Sequence, residues 1–333
     1  MKALILAAGF GTRLMPYTGS LPKPLFTLGS QTMLELAVQS LVDCGCDHIL
    51  INTHHLHQQI HAALEEFETH VHVQAVHEKQ ILETGGAIAN IRPFLDDTPF
   101  FVVNADVVSS LDLKALYGYH LASGALATLA VHDHRDFNCL KVDENGCIRN
   151  FKCPEHGLAF TGIQVLSPNI FENFPQKHKF SSIQVYESLC PTGKIRAFRA
   201  PNLFWRDMGT PFSYRETARR WIAGKALGTA IKDLDQIRIT SLCGDGSDRA
   251  WYRAQNDCQG ARRPGSVVIS DHGICPDPSD NLDQIRSFVR IGRHLNQKGI
   301  QVPRILSWDE FSGMVALEDL GDHHLADRVK GLD

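Results

Sequence analysis

Short apolar segments alternate with segments of helical periodicity through the first part of the chain. Residues 2–7, 48–52 and 100–104 are apolar runs with the length of a buried strand. Apolar residues at helical spacing predict helices at about 32–44 and 56–66. This alternation predicts a doubly wound, mostly parallel α/β sheet. The carboxyl ends of its strands are expected to face one crevice, where loops bind ligands.

The pattern changes after a predicted helix at about 211–225. A short charged stretch follows, and we place a domain boundary there, which assigns residues 1–228 to the α/β domain and 236–333 to a smaller α+β domain. In the smaller domain the pattern predicts strands, a glycine-bearing turn and one helix, in the order 237–242, 244–246, 266–270, 281–298 and 314–320.

Composition narrows the class of protein. The chain has 333 residues, 43% of them apolar and 21% charged, which is typical of globular domains and excludes a disordered or fibrous protein. A net charge of −4 gives no indication of a nucleic-acid or membrane partner. Since neither a long apolar run nor a signal-peptide pattern is present, we expect a cytoplasmic protein whose anionic ligand is bound by local groups.

A glycine-bearing loop with the sequence AGFGTR follows the first predicted strand, at residues 8–13. Gly9 and Gly11 allow a tight bend, so that successive backbone N–H groups can surround phosphate oxygens. Arg13 and Lys23 add positive charge beside a polyphosphate. The third glycine of a dinucleotide fingerprint and the Lys-Ser/Thr pair of a P-loop are both missing. Taken alone, the segment could also be a structural turn with surface cations.

The whole string, with a lysine ten residues after the arginine, resembles the signature of the sugar-nucleotide pyrophosphorylases, or NDP-sugar nucleotidyltransferases. The resemblance continues through LETGG at 82–86, NAD at 104–106, FTGI at 160–163 and WRDMGTP at 205–211. It implies a Rossmann-like nucleotidyltransferase fold. It also implies an enzyme that transfers a nucleoside monophosphate from an NTP to a sugar 1-phosphate and releases pyrophosphate.

The resemblance implies a role for each residue at a matching position. The NTP would be bound by the glycine loop, its cations and a later segment, namely Ala8, Gly9, Gly11, Thr12, Arg13, Lys23, Glu78, Thr84 and Gly85. The sugar 1-phosphate would be bound by Asp106, Thr161 and Gly162. Asp106 and Asp207 would hold Mg²⁺, which prefers oxygen ligands and is commonly bound by one or two carboxylates plus substrate phosphates. Either aspartate alone is more often a helix cap or a turn residue.

Three of these residues would be catalytic: Arg13, Lys23 and Asp106. In the implied reaction the sugar-phosphate oxygen attacks the α-phosphorus of the NTP in line with the leaving pyrophosphate. Lys23 would stabilise the reacting phosphates, while Arg13 and the loop amides would hold the pyrophosphate. No general base is needed, because the attacking oxygen is already ionised.

Within the family, residues 82–86 and 160–166 most resemble the enzymes that transfer UMP to N-acetylmuramate 1-phosphate in cell-wall sugar salvage. The mannose-1-phosphate guanylyltransferases come next, and a catalytically inactive sugar-nucleotide-binding regulator is the non-enzyme alternative. The chain differs from many relatives in one motif expected to contact the sugar. They carry Phe-x-Glu-Lys-Pro where this chain has FKCP at 151–154, so the acidic contact to the sugar is missing from the motif. Base, sugar and oligomeric state therefore stay open at this stage.

Two further patterns carry candidate chemistry. Four histidines lie within residues 54–61. His57 and His61 are one helical turn apart, a spacing that suits a transition metal but is more typical of a solvated helix face.

Residues 241–253, 302–306 and 315–321 resemble strands of the small lobe of aminoglycoside-phosphotransferase-type kinases. The strand at 267–270 has no lysine to pair with phosphates, and no catalytic-loop segment follows before residue 333. We therefore expect no kinase activity from this chain by itself, and a longer natural protein; the alternative for this region is a plain accessory α+β module.

Overall fold

The computed structural model describes residues 1–67, 69–152, 157–200, 202–242, 249–256, 265–274 and 282–322. The chain forms two compact units, one of Met1–Phe26 and Gln31–Pro211, the other of Thr27–Ser30 and Phe212–Asp333. This division puts residue 212 and those after it in the second unit, whereas the sequence pattern ends the first domain at residue 228. The domain limits at 228 and 236 stay predictions.

The helices and strands follow one another along the chain. The helices are α1 (Met33–Cys44), α2 (His57–Glu65), α3 (Glu83–Asn90), α4 (Leu113–Ser123), α5 (Ser182–Leu189), α6 (Pro211–Leu227) and α7 (Leu282–Gln297). The strands are β1 (Lys2–Leu6), β2 (Thr27–Leu28), β3 (Gln31–Thr32), β4 (His48–Thr53), β5 (His72–His77), β6 (Phe100–Asn104), β7 (Val107–Ser109), β8 (Ala127–His132), β9 (Lys141–Val142), β10 (Ile148–Asn150), β11 (Ala159–Leu166), β12 (Ile195–Arg199), β13 (Trp205–Asp207), β14 (Arg238–Leu242), β15 (Ala250–Gln255), β16 (Ser266–Asp271), β17 (Ile305–Asp309) and β18 (Met314–Glu318).

The first unit is built on a seven-stranded sheet in the order β12-β8-β11-β6-β1-β4-β5. β1 runs parallel to β4 and β6, β4 runs parallel to β5, and β12 runs parallel to β8. β11 is antiparallel to both of its neighbours, β6 and β8. The predicted mostly parallel α/β sheet is confirmed, and the reversed direction of β11 is a feature that the sequence pattern did not predict.

Helices cover both faces of this sheet. Successive residues of a strand point to opposite faces, and β1 shows the consequence. Ala3 and Ile5 are buried in one apolar cluster with Leu41 of α1, whereas Leu4 is buried in a second cluster with Val185 of α5. A strand with apolar neighbours on both faces has to be apolar at every position, which explains the uninterrupted run at residues 2–7.

Local sequence signals set the ends of α1. The Thr32 hydroxyl accepts a hydrogen bond from the Glu35 amide, and the Glu35 carboxylate accepts one from the Thr32 amide, which forms a capping box. Gly45 ends the helix in a left-handed conformation with φ of 102°. Because these signals lie within a few residues of each other, the helix predicted at 32–44 is found almost unchanged.

The second unit contains an antiparallel sheet in the order β14-β15-β16-β18-β17. Ile285 and Val289 of α7 form a buried apolar cluster with Val315 and Leu317 of β18. The strands and the helix predicted for this region are confirmed, while the predicted turn at 244–246 lies outside the described residues. None of the helices in the described ranges has the length and apolar character needed to cross a bilayer.

A buried carboxylate explains why Thr27–Ser30 belongs to the second unit. Asp309 is 1% exposed and accepts hydrogen bonds from the Thr27 hydroxyl at 2.7 Å and the Gly29 amide at 2.8 Å. Burial raises the pKa of Asp309 to about 6. Further bonds from the Phe311 and Ser312 amides satisfy this carboxylate.

Candidate active site

A cavity of about 350 Å³ lies at the carboxyl ends of β1, β4, β5 and β6, within the first unit. This size suits a small ligand, for which pockets of roughly 300–1,000 Å³ are usual. The residues that line the cavity are Leu6, Ala7, Ala8, Gly9, Gly11, Thr12, Arg13, Lys23, Pro24, Asn52, Glu78, Ile81, Glu83, Thr84, Asn104, Ala105, Asp106 and Gly209. Most of the residues predicted to bind the NTP are therefore brought together at the expected edge of the sheet.

The glycine loop forms one wall. Gly11 has φ of 62°, and a Cβ there would lie 2.8 Å from Cγ2 of Thr18, so both the conformation and the close contact require glycine. The Thr18 hydroxyl donates to the Gly11 carbonyl at 2.9 Å, which fixes the bend before Thr12 and Arg13. A Cβ on Gly9 would meet no atom within 4 Å, so its missing side chain leaves open space in the cavity.

Lys23 and Asp106 form an ion pair inside the cavity. Lys23 lies in a short helical turn and is 8% exposed. Its Nζ lies 2.5 Å from Oδ2 of Asp106, which follows β6. A nearly buried ammonium needs an anionic partner, and here the partner is the carboxylate that sequence reasoning assigned to the metal and the substrate.

Asp207 lies beside Asp106 although the two are about a hundred residues apart in the chain. β13 pairs antiparallel with β7, with Asp207 opposite Val107, and the Met208 amide donates to the Asp106 carbonyl at 3.1 Å. Burial raises the pKa of Asp207, the negative charge of Asp106 raises it further, and the positive charge of Lys23 opposes both. The fold thus gathers two acidic groups at one point.

Gly209 allows Arg13 to approach this acidic pair. A Cβ on Gly209 would collide with the Arg13 guanidinium and with Oδ1 of Asp207. The Gly209 amide donates to that same carboxylate oxygen at 2.7 Å. Any larger residue at position 209 would therefore clash with both the cation and the anion.

The two aspartates suit a hard divalent cation. In the described part of the chain, no group of three or more His, Cys, Asp or Glu is arranged to hold a metal ion. A cation at Asp106 and Asp207 would therefore complete its shell with water and substrate oxygens, which is the donor set that Mg²⁺ prefers. Two adjacent carboxylates, one of them with a raised pKa, also repel each other in a way that a divalent cation would relieve.

The cavity lining also contains a buried polar pair, Asn52 and Glu78. Glu78 is 2% exposed and its two carboxylate oxygens accept hydrogen bonds from Nδ2 of Asn52 at 2.8 Å and from the Leu82 amide at 3.0 Å. Oδ1 of Asn52 accepts from the Ala7 amide at 2.7 Å. The family resemblance predicts Glu78 but not Asn52, whose only sequence signal is a polar residue near the carboxyl end of an apolar strand.

Thr84 and Gly85 differ in their placement. Thr84 lines the cavity, and its hydroxyl accepts a hydrogen bond from the Ser182 amide at 3.0 Å. Gly85 is not among the lining residues. A Cβ on Gly85 would lie 2.5 Å from the ring of Phe180, so this glycine is explained by packing beneath the cavity.

The predicted sugar residues Thr161 and Gly162 do not line the cavity. Thr161 is fully buried and its hydroxyl donates to the Ala130 carbonyl at 2.9 Å. Gly162 has φ of 79°, and a Cβ there would lie 2.5 Å from Nδ2 of Asn104, a lining residue that sequence reasoning did not select. Gly162 therefore leaves room for the Asn104 side chain, and it is Asn104 that lines the cavity. Of the FKCP segment, residues 153 and 154 lie outside the described residues.

The histidines of residues 54–61 are partly exposed and also contact other parts of the first unit. His54 bonds to the Glu78 carbonyl at 2.7 Å and His55 to the Thr18 carbonyl at 2.9 Å. The His57 ring lies against the His77 ring, with centroids 4.0 Å apart and planes tilted by 39°, and His61 contacts the Thr53 hydroxyl at 3.3 Å. These contacts join α2 and the residues before it to Thr18, to Glu78 and to the ends of β4 and β5.

Comparison with known proteins places the chain in a family. The family described as Nucleotidyl transferase matches residues 2–223. The mannose-1-phosphate guanylyltransferase catalytic subunit beta of Drosophila melanogaster is 29% identical over 221 residues, which cover 63% of this chain and 60% of that protein. The mannose-1-phosphate guanylyltransferase of Mycobacterium tuberculosis is 28% identical over 242 residues, covering 70% and 67% respectively.

A solved structure supports the same fold. The crystal structure of HddC from Yersinia pseudotuberculosis superposes with a TM-score of 0.58 at 25% identity, covering 66% of this chain and 99% of that one. The chain spans about 60% of the length of the first of the curated relatives. The family match covers most of the chain, including every residue of the cavity. The chain therefore belongs to the nucleotidyl transferase family.

Proposed function

We propose that this protein transfers a nucleoside monophosphate from an NTP to a sugar 1-phosphate and releases pyrophosphate. One observation carries the proposal. A single cavity holds a glycine-bent loop, the cations Arg13 and Lys23, and the carboxylate of Asp106, with Asp207 beside it. Both substrates are anions, so the site must offer cations and amides for phosphates together with carboxylates for a counter-ion.

Each group has a place in the proposed reaction. The loop amides and Arg13 hold the phosphates that leave as pyrophosphate, which keeps the leaving group in line with the attacking oxygen. Lys23 exchanges its contact with Asp106 for the phosphate that reacts, where its charge stabilises the transition state. The sugar-phosphate oxygen is already ionised and needs no protein base.

Asp106 and Asp207 are the residues that would hold Mg²⁺. When bound, the ion neutralises and orients phosphate oxygens. The role of the protein is to keep the two carboxylates adjacent, which the β7–β13 pairing and the Met208–Asp106 backbone bond achieve.

For the substrates, we propose UTP and N-acetylmuramate 1-phosphate, in cell-wall sugar salvage. The LETGG and FTGIQVL segments at residues 82–86 and 160–166 support this choice. GTP and mannose 1-phosphate are the second candidate, since the Drosophila and mycobacterial relatives are named for that reaction.

A substrate panel tests the proposal. Purified protein with Mg²⁺ is incubated with each of UTP, GTP, ATP, CTP and dTTP against several sugar 1-phosphates, and pyrophosphate is measured. We expect release with one preferred pair, and its identity decides between the two candidates. Saturable NTP binding without pyrophosphate from any pair would instead indicate the non-enzyme alternative, a sugar-nucleotide-binding regulator.

For the second unit we propose a kinase-like small lobe without its own catalysis. Its antiparallel sheet, with α7 between β16 and β17 in the chain, supports the proposal. The glycine-rich segment that carries much of the resemblance, at residues 243–248, lies outside the described residues.

A further inference from the structure

Asn52 and Glu78 connect two loops of the cavity through an unbroken line of hydrogen bonds. The line starts at the Ala7 amide, passes through the Asn52 carboxamide and the Glu78 carboxylate, and ends at the Leu82 amide. Its distances are 2.7, 2.8 and 3.0 Å. Ala7 opens the glycine loop, and Leu82 directly precedes α3, which contains Thr84 and Gly85, two residues predicted to bind the NTP.

Both side chains are buried, at 4% exposed for Asn52 and 2% for Glu78. A buried carboxylate needs compensation, yet the ion pairs found among the described residues include none for Glu78. The Glu78 backbone is held as well, since its amide donates to the Thr53 carbonyl at 2.8 Å and its carbonyl accepts from His54. Because each of its two carboxylate oxygens accepts a hydrogen bond from the protein, this side chain holds other groups in place.

The chemistry of the line explains why one member is an acid. Both ends are backbone N–H groups, which can only donate. The line contains three contacts, or junctions: Ala7 to residue 52, residue 52 to residue 78, and residue 78 to Leu82. If residues 52 and 78 were both carboxamides, two N–H groups would face each other at one of these junctions, because each carboxamide has a single acceptor oxygen. Two carboxylates would leave two acceptors facing each other, with like charges. One carboxamide and one carboxylate satisfy every junction, and either position can hold the acid.

We propose that Asn52 and Glu78 are a pair of positioning residues that set the spacing between the glycine loop and the 82–85 segment, and so the affinity for the NTP. The pair requires one carboxylate in total. The effect of the pair on NTP affinity rests on the proposed nucleotidyl transfer. The need for one carboxylate among the two side chains does not, because it follows from the hydrogen bonds alone. Glu78 acts on the nucleotide through the Leu82 amide rather than by direct contact with the base.

Three variants of the full chain test this rule. Glu78→Gln places two carboxamides in the line and Asn52→Asp places two carboxylates, so each single variant breaks one junction. The double variant N52D/E78Q exchanges the two groups and restores every bond. A double variant in an exposed helical turn, N173D/E172Q, makes the same two chemical changes and serves as the control.

The measurements are the KM for the preferred NTP, kcat, and the dissociation constant of that NTP with Mg²⁺ by calorimetry. An unsatisfied buried group costs enough to raise KM about tenfold or more in each single variant, with a smaller change in kcat. The double variant should return to within about threefold of the wild type, because no junction is left unsatisfied. The control should match the wild type.

A double variant no better than the worse single variant would overturn the proposal. So would a Glu78→Gln protein with unchanged KM, or a double variant with a changed base preference, which would indicate direct contact between Glu78 and the base. If the wild type releases no pyrophosphate from any substrate pair, the proposed function fails. The pair is then tested by the denaturant midpoint, which should fall in both single variants and recover in the double variant.

Discussion

At the scale of single residues, the cavity is organised by charge. Lys23 is nearly buried and paired with Asp106, while Asp207 has a raised pKa because it is buried beside that same carboxylate. Arg13 reaches the group only because Gly209 has no side chain. Two anions and two cations held this close can exchange partners when a phosphate enters, which a set of fully separated charges could not do.

Asp106→Asn should reduce kcat/KM about a hundredfold or more. The change removes one oriented charge from the site, for which roughly 3 kcal/mol of transition-state stabilisation is usual. Pyrophosphate release at saturating and limiting NTP measures it. Asp43→Asn, on the exposed surface of α1, is the matched control and should keep wild-type kinetics. A D106N protein with wild-type turnover would contradict the role given to this carboxylate.

His120 should make the first unit sensitive to acid. It is 2% exposed, its ring nitrogens bond to the Thr128 and Ser167 hydroxyls at 2.9 Å each, and burial lowers its pKa to about 4. The unfolded chain, with a histidine pKa of about 6.5, binds the proton more readily, so stability is present above that pH and is lost as the pH falls towards 4.

The test is urea unfolding of the wild type and His120→Gln between pH 7 and pH 4. Glutamine keeps a donor and an acceptor but does not titrate. The wild type should lose up to about 3 kcal/mol more than the variant over this range. Parallel curves for the two proteins would mean that His120 does not protonate on unfolding.

At the scale of elements, the site depends on where strands end and on one reversed strand. Among the polar residues that line the cavity, Asn52, Glu78 and Asn104 lie at or just after the ends of β4, β5 and β6, as expected for parallel strands. β11 runs the other way between β6 and β8, and its Gly162 lies against Asn104 near the end of β6. The position of Asn104 is therefore decided by the register of two strands.

Gly162→Ala should destabilise the protein by about 3 kcal/mol and raise the KM for the sugar 1-phosphate. An alanine would be strained at φ of 79° and would also collide with the Asn104 carboxamide. Gly124→Ala is the control, because Gly124 has φ of 61° but a Cβ there would meet no atom within 4 Å, and it should cost only about 1 kcal/mol. Equal losses in denaturant unfolding would show that backbone strain alone accounts for Gly162.

At the scale of the whole molecule, the family match and the contacts divide the chain differently. The family match covers residues 2–223, which include most of α6. The boundary between the two compact units falls between residues 211 and 212, so nearly all of α6 belongs to the second unit. The cavity lies entirely in the first unit. The second unit carries its own buried groups, among them Asp271, which pairs with Arg215 and Arg219.

The full chain should form no sugar phosphate from ATP, Mg²⁺ and free sugars. β16 contains no lysine and α7 no glutamate, so the ion pair that orients phosphates in kinases is missing. Thin-layer or mass-spectrometric detection of sugar phosphate measures the outcome. The same preparation, given an NTP and the preferred sugar 1-phosphate, should release pyrophosphate. Sugar phosphate formed at a rate that scales with protein concentration would contradict the prediction.

The sequence by itself determined the features that arise from neighbours along the chain. The apolar runs gave β1, β4 and β6, the capping residues set α1, and the loop motif identified Gly11, Arg13 and Lys23. These follow from periodicity and local hydrogen bonding, which act over a few residues. Only the tertiary structure decided the direction of β11, the burial of Thr161, the β7–β13 pairing that places Asp207 beside Asp106 as the resemblance implies, and the Asn52–Glu78 pair. Each of these depends on strand register between distant segments, which spacing along one chain does not encode.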